Sequence, residues 1–286
     1  MTGPAPSASP WTAPGFGRNL ARRVVTALVV LPALVAAFFL APPAAGVGIV
    51  AVAAGLGLLE FFGLLRARAV RPLRRTGLLL AAAMFLDVAY PEWLGAPFWP
   101  LAALLLLTVT LARRGTAVAE TVPAAAATLL GATYLGALGG TIAALRVLEP
   151  VGEGAWRIVL LLAIVMASDT AAFFVGHALG RRRLAPHVSP GKTVEGAVGG
   201  LLGGIAGALA VRALGLPELP LVHAALLGVG VAAMGIVGDL DESLLKRWAG
   251  VKDSGGLFPG HGGMLDRLDS LLFGAPVLYY YFLYVR

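Results

Sequence analysis

The reading of this chain turns on "KDSGGLFPGHGGMLDRLDS", residues 252–270. Its nineteen residues carry two Lys/Arg, three Asp and one His among five glycines, in a chain of which only 13% is charged. The flanks are of opposite character. Residues 221–245 before it and 268–285 after it are apolar runs close to the roughly 20 residues a helix needs to cross hydrocarbon. A polar, glycine-rich segment between two such runs reads as a loop at a membrane boundary.

The remaining composition agrees. With 58% hydrophobic residues and a mean hydropathy of +0.85, the chain lies outside the range of soluble globular domains. The expected fold class is all-α: a polytopic integral membrane helical bundle of about nine transmembrane helices. The expected helices cover residues 20–40, 45–65, 77–91, 97–112, 122–146, 157–179, 195–214, 221–245 and 268–285. The third is short and carries Asp87. In the seventh, glycines recur at four-residue spacing (Gly196/Gly200, Gly199/Gly203, Gly203/Gly207), a pattern that lets helices approach closely. Residues 1–19 form a Pro/Ala/Ser/Gly-rich tail expected to be disordered, and 20–286 a single membrane-embedded domain. Arg22 and Arg23 followed by the apolar run Val24–Leu40 have the order of a signal peptide. That run is long for one, however, and further spans follow, so it reads as the first span.

Two function classes recede on composition. The chain has no cysteine, which excludes disulfides, thiolate metal sites and a cysteine nucleophile. Its formal net charge of +7 could suit nucleic acid, but the basic residues sit beside spans, where they set orientation and meet anionic lipids. No nucleic-acid partner is expected. Eighteen of the 22 Lys/Arg fall on one side of the expected topology. They lie in the N-terminal flank, at Arg66–Arg75, at Arg113 and Arg114, at Arg181–Lys192 and at Lys246–Arg267. Arg146, Arg157, Arg212 and Arg286 are on the other. The positive-inside rule then puts the N-terminus, and the segment at 252–270, in the cytoplasm.

The acids concentrate on that same side. Nine of the 15 Asp/Glu lie between Asp169 and Asp269. They form three groups: Asp169 with Ser189, Lys192 and Glu195 in "SDTAAFFVGHALGRRRLAPHVSPGKTVEG"; "GDLDESLLKR", with Asp239, Asp241 and Glu242; and "MLDRLD", where Asp266 and Asp269 share a helical face at i, i+3. Glu60 and Asp87 stand apart near helix ends and read as snorkelling or structural. Lys246 and Arg247 can be read as orientation signals, and so can Arg181–Arg183.

Carboxylates without thiols are hard oxygen ligands suited to Mg²⁺, which commonly binds through one or two carboxylates and substrate phosphates. "SPGKT" before a helix start offers backbone N–H groups and a lysine to phosphate oxygens, though it lacks the early glycine of a P-loop. Gly262 and Gly263 in "GHGG" allow backbone to approach a ligand without Cβ interference. His177, His187 and His223 are scattered polar residues, whereas His261 sits among the glycines beside the acids. Three acidic groups on one face point to metal-assisted phosphoryl or nucleotidyl transfer at a membrane boundary.

"SLLKRWAGVKDSGGLFPGHGGMLDRLD", Ser243 to Asp269, resembles the signature of phosphatidate cytidylyltransferases, also called CDP-diacylglycerol synthases. A serine, a Lys-Arg pair, a Lys-Asp pair, His-Gly-Gly and Asp-Arg-x-Asp stand at the family's spacing, and "SPGKTVEG" and "GDLDES" resemble its two upstream motifs. The resemblance covers residues 20–285, with 20–115 as N-terminal helices and 116–286 as the catalytic half. It implies transfer of CMP from CTP to phosphatidate, releasing CDP-diacylglycerol and pyrophosphate for phospholipid biosynthesis. It also implies a homodimer, multi-pass in the cell (inner or plasma) membrane, with its active site facing the cytoplasm. Carried onto this chain, it makes Lys192, Asp239, Asp266, Arg267 and Asp269 catalytic. Asp239 and Asp266 would hold Mg²⁺, with Asp269 in or beside a second cation site. Ser189, Lys192, Lys252, Asp253, His261, Gly262 and Gly263 would face substrate, supported by Asp169, Glu195 and Glu242. Spacing assigns His261 no role. Where many relatives have Tyr after "D-x-A-A", this chain has Phe173 and no phenol hydroxyl.

Competing readings fit less well. A CTP-dependent polyprenol kinase would not need the full Lys-Asp to Asp-Arg-x-Asp string. A CDP-alcohol phosphatidyltransferase would carry Asp-Gly-x-x-Ala-Arg. An ion-coupled transporter would place its acids near the midplane rather than on one side.

Overall fold

The computed structural model describes residues 31–92, 98–111, 118–257 and 262–285. The expected tail at 1–19, the first half of the first span, Arg113, Arg114 and His261 lie outside the described residues. The helices are α1 (Leu31–Leu40), α2 (Pro43–Arg66), α3 (Arg74–Ala89), α4 (Phe98–Leu111), α5 (Val118–Gly131), α6 (Leu138–Val147), α7 (Gly154–Leu179), α8 (Val194–Gly215), α9 (Leu221–Ala249) and α10 (Leu265–Tyr284). A π-helical stretch, Ala132–Ala137, joins α5 to α6, so the two run as one rod from Ala119 to Val147. Among the described residues, that rod, α2, α9, α8 and the stretch Val151–Leu179 containing α7 are the five helical segments long and apolar enough to cross a membrane.

Each of the nine expected segments meets a helix, but the ends differ for physical reasons. Helix α9 runs four residues past its expected end to Ala249. Its Glu242 and Lys246 are one helical turn apart and satisfy each other along the helix, so polarity alone does not stop it. What stops it is Gly250, in the left-handed region at φ 79°, with Val251 N–H donating to the Lys246 carbonyl at 2.9 Å. The loop expected before the seventh span is instead a two-stranded antiparallel hairpin, β1 (Arg183–Ala185) and β2 (Ser189–Thr193), pairing Arg183 with Thr193 and Ala185 with Ser189. Thr193 then caps α8, its Oγ1 accepting from Gly196 N–H at 3.1 Å.

The glycines of α8 pack as their spacing suggests. A methyl group on Gly203 would come within 2.5 Å of the Ala167 carbonyl and 2.6 Å of the Ala171 Cβ on α7. On the other side Gly204 and Gly228 bring α8 and α9 to backbone contact. This close crossing fixes the separation between the walls of the cavity described below. A Gly203→Leu chain is therefore expected to lose about 1–3 kcal/mol, the usual cost of overpacking, read as a lower Tm in detergent. An unchanged Tm would show that α7 and α8 are not held at this distance.

The core runs through α2, the π stretch, α6, α7, α9 and α10, where Leu58, Phe62, Leu135, Leu145, Leu161, Leu272 and Leu278 are fully buried. Tyr134 on the π stretch lies edge-on between Phe61 and Phe273, at 5.9 and 5.8 Å. The polar connections gather at one end of the bundle. Arg68, between α2 and α3, donates to the Trp248 carbonyl at the end of α9, and Arg247 donates to the hairpin's Val188 carbonyl at 3.4 Å. The opposite end holds Arg146 and Arg157. Arg157 is almost wholly buried and donates to the Glu149 carbonyl and to Glu153 at 3.2 and 3.3 Å.

Candidate active site

At the loop-bearing end, α7, the hairpin, α8 and α9 enclose a cavity of about 560 Å³, within the range of small-molecule sites. Asp169, Phe173 and His177 line it from α7 at intervals of one turn, and their spacing puts all three on one helical face. Phe173 and His177 lie nearly parallel, with ring centroids 6.3 Å apart. Lys192 enters from β2, Asp239 from α9, and Lys192 Nζ lies 2.7 Å from Asp239 Oδ2. The hairpin carries Lys192 into place because its root is fastened. Glu195, in the first turn of α8, accepts from the backbone N–H groups of Arg181 and Arg182 at 3.0 and 3.2 Å.

A second cluster lies beside the first, deeper in the protein. Lys246 Nζ stands 2.6 Å from both Glu242 Oε2 and Asp266 Oδ1. The other oxygen of Asp266 accepts from Ser254 N–H at 3.0 Å, Ser254 Oγ at 2.8 Å and Gly263 N–H at 2.7 Å. Burial would raise the Asp266 carboxyl. Lys246, Gly263 and Ser254 outweigh it and bring the value down from 3.8 to about 2. The stabilisation this gives is complete above the unfolded value and is lost only as pH falls through about 2. Asp269 links the clusters, within electrostatic reach of Asp239, Asp169 and Lys246. Glu242 Oε1 and the Tyr134 hydroxyl are buried with no hydrogen-bond partner among the described residues.

The expected residues thus divide. Asp169, Lys192 and Asp239 line the cavity, while Asp266 and Glu242 belong to the adjoining lysine-centred cluster. Lys252 and Asp253 are exposed on the loop, Ser189 begins β2 outside the cavity wall, and Arg267 is exposed but within electrostatic reach of Asp169. Gly262 and Gly263 close on carboxylates. Gly262 has φ 79°, and a Cβ there would sit 2.5 Å from Asp266 Oδ2.

Sequence reasoning passed over His177 and Arg183, which line the cavity, and did not anticipate the contacts of two further residues. Lys246, which allowed an orientation reading, is instead a half-buried ion-pair partner. Its i, i+4 spacing from Glu242 was the available signal. Glu60, read as snorkelling or structural, accepts from Ser254 Oγ at 3.1 Å and from Leu265 N–H at 2.8 Å. Asp87 has a structural partner, Trp99 Nε1, at 2.9 Å.

A helical bundle with Asp169, Asp239, Lys192 and Arg183 gathered in a cavity at one end of apolar helices offers charged groups to a polar substrate at the edge of a membrane. The cytidylyltransferase family profile matches residues 21–285, and the chain belongs to that family of nucleotidyl-transferring enzymes. It is 35% identical over 254 residues to a phosphatidate cytidylyltransferase of Synechocystis sp., covering 79% of this chain and 84% of that one. It is 38% identical over 179 residues to a phosphatidate cytidylyltransferase of Bacillus subtilis, covering 63% of this chain and 65% of that one. An uncharacterized Escherichia coli protein, YnbB, is 45% identical over 131 residues, 46% of this chain and 44% of its own.

Proposed function

We propose that this chain transfers CMP from CTP to phosphatidate, giving CDP-diacylglycerol and pyrophosphate. The observation that carries the reading is the Lys192–Asp239 pair, 2.7 Å apart in the wall of a cavity otherwise set in an apolar bundle. The name of the Synechocystis relative, matched over 84% of its length, agrees with it. An oxygen of the phosphatidate phosphate, ionised at neutral pH, attacks the α-phosphorus of CTP. A P–O bond forms there as the bond to the departing pyrophosphate breaks, so no covalent enzyme intermediate is needed. Lys192 and Arg267 would offset the repulsion between the two polyanions. One substrate cannot leave the bilayer and the other cannot enter it, which is why polar loops must sit at the end of membrane helices.

The oxygen-only donor set of Asp169, Asp239 and Asp269, which lie within one another's electrostatic reach, suits a hard divalent cation, with Lys192, Lys246 and Arg267 standing among them to meet its anionic ligands. The buried, unpartnered Glu242 Oε1 beside them supports the fit. Asp239 and Asp266 would hold Mg²⁺, Asp266 once Lys246 leaves its Oδ1. A second cation would lie at or beside Asp269. When bound, the ion would neutralise charge developing on the phosphates. We also read the loop-bearing end as cytoplasmic in the cell membrane, from the basic residues there, and the working unit as a homodimer.

The test supplies purified protein in detergent with Mg²⁺, phosphatidate and CTP labelled at the α-phosphate or γ-phosphate. α-Label in the lipid phase is the expected result. γ-Label in lipid would indicate a kinase instead, and no label in lipid would sink the reading.

A further inference from the structure

We propose that Glu60, on α2, is a positioning residue for the loop between α9 and α10. Its carboxylate ties the two ends of that loop together and thereby fixes Asp266. Glu60 Oε2 accepts from Ser254 Oγ at 3.1 Å and from Leu265 N–H at 2.8 Å, so one oxygen holds positions on either side of the glycine-rich segment. Ser254 extends the chain of contacts: its single hydroxyl proton is shared between Glu60 Oε2 and Asp266 Oδ2, the latter 2.8 Å away, and its N–H donates to Asp266 Oδ2 at 3.0 Å. The path thus runs from α2 through Ser254 to Asp266 and Lys246.

Three observations make this more than a contact. Leu265 is the first residue of α10, and Met264 at the N-cap position supplies no side-chain hydrogen bond. The Leu265 amide is one of the four that a helix leaves without an intrahelical acceptor, and it is satisfied from another helix, with negative charge at the favourable end of the helix dipole. Gly255 and Gly263 also leave room for Glu60, since a Cβ on either would displace its carboxylate from the position it holds. Finally, between Pro43 and Ala45 at one end of α2 and Leu65 at the other, Glu60 is the sole ionisable side chain, and a lone acid in so apolar a helix is costly to keep. Its neighbours Phe61 and Phe62, at 1% and 0% exposure, fix the rotation of α2 in the core.

The chain has no cysteine of its own, so a single introduced thiol is a unique probe. Gly256, exposed on the loop with open space around its Cβ position, takes a Gly256→Cys substitution for maleimide labelling. Adding Glu60→Ala is expected to speed labelling several-fold. In the CMP-transfer assay, which rests on the proposed function, Glu60→Ala is expected to lower kcat by roughly ten- to a hundredfold with a smaller change in KM for CTP, as misplacement of a catalytic group predicts. Glu60→Gln keeps a side-chain oxygen for both donors and should restore the original labelling rate and most of kcat. A folded Glu60→Ala protein that labels at the original rate overturns the proposal, including one whose Tm alone falls. If Glu60→Ala does not fold, Glu60→Asp draws the carboxylate back from both donors, and unchanged labelling there overturns it equally. Labelling decides the clamp whether or not the chain proves to transfer CMP.

Discussion

An Asp266→Asn protein is expected to transfer CMP at least about a hundredfold more slowly than the unsubstituted chain, the loss typical when a central charge-stabilising group is removed. Asp266 takes Lys246 on one oxygen and three donors from Ser254 and Gly263 on the other. An asparagine presents one oxygen and one NH₂ group. Whichever way the amide turns, its NH₂ faces a donor: the Lys246 ammonium in one orientation, the Ser254 and Gly263 amides in the other. The charge that would otherwise hold a divalent cation is lost as well. Glu242 still pairs with Lys246 at 2.6 Å, so the half-buried ammonium is not left alone and the bundle should fold. Circular dichroism and Tm check the fold, and steady-state CMP transfer checks the chemistry. A folded Asp266→Asn protein with near-normal turnover would remove Asp266 from the catalytic centre.

The second large effect is expected at Lys192. Lys192→Met should lower kcat/KM for CTP by roughly a hundred- to a thousandfold, mainly through KM for CTP, with KM for phosphatidate moving less. Lys192 and Asp239 are each partly exposed to the cavity, and exposed ion pairs contribute little to stability, so Tm should change little. Lys192→Arg should recover only part of the activity, because a planar guanidinium cannot reproduce a compact ammonium at 2.7 Å from Asp239 Oδ2. Unchanged KM for CTP in Lys192→Met would take Lys192 out of nucleotide binding. The two variants separate the clusters: Asp266→Asn acts on the loop and cation side, Lys192→Met on the cavity that would receive the nucleotide.

Much of this was legible in the sequence because it rests on local rules. Apolar runs near membrane-crossing length mark helices wherever they occur, and each expected segment met one. The α8 glycines announced a close helix crossing through their spacing alone. Asp239 and Lys192, more than forty residues apart, could be set on one face because connections alternate sides in a bundle. Other features depended on partners far along the chain. The hairpin that carries Lys192 is held by Glu195 reaching back to Arg181 and Arg182, an arrangement a short loop does not advertise. The loop glycines looked suited to phosphates, yet Gly255 and Gly263 make room for Glu60, and Gly262 for Asp266.

The sequence by itself determined an apolar helical bundle, the end at which its polar residues collect, and the motif that ties it to the cytidylyltransferases. Hydrophobic length and basic flanks act segment by segment, and a motif keeps its spacing whatever lies around it. Only the tertiary structure decided which carboxylate meets which donor. Asp266 faces Lys246, Ser254 and Gly263, while Glu60, 205 residues before Leu265, accepts its amide. Those pairings arise because buried polar groups must be satisfied within the protein, and the nearest satisfied geometry is set by how helices pack rather than by how residues are spaced along the chain.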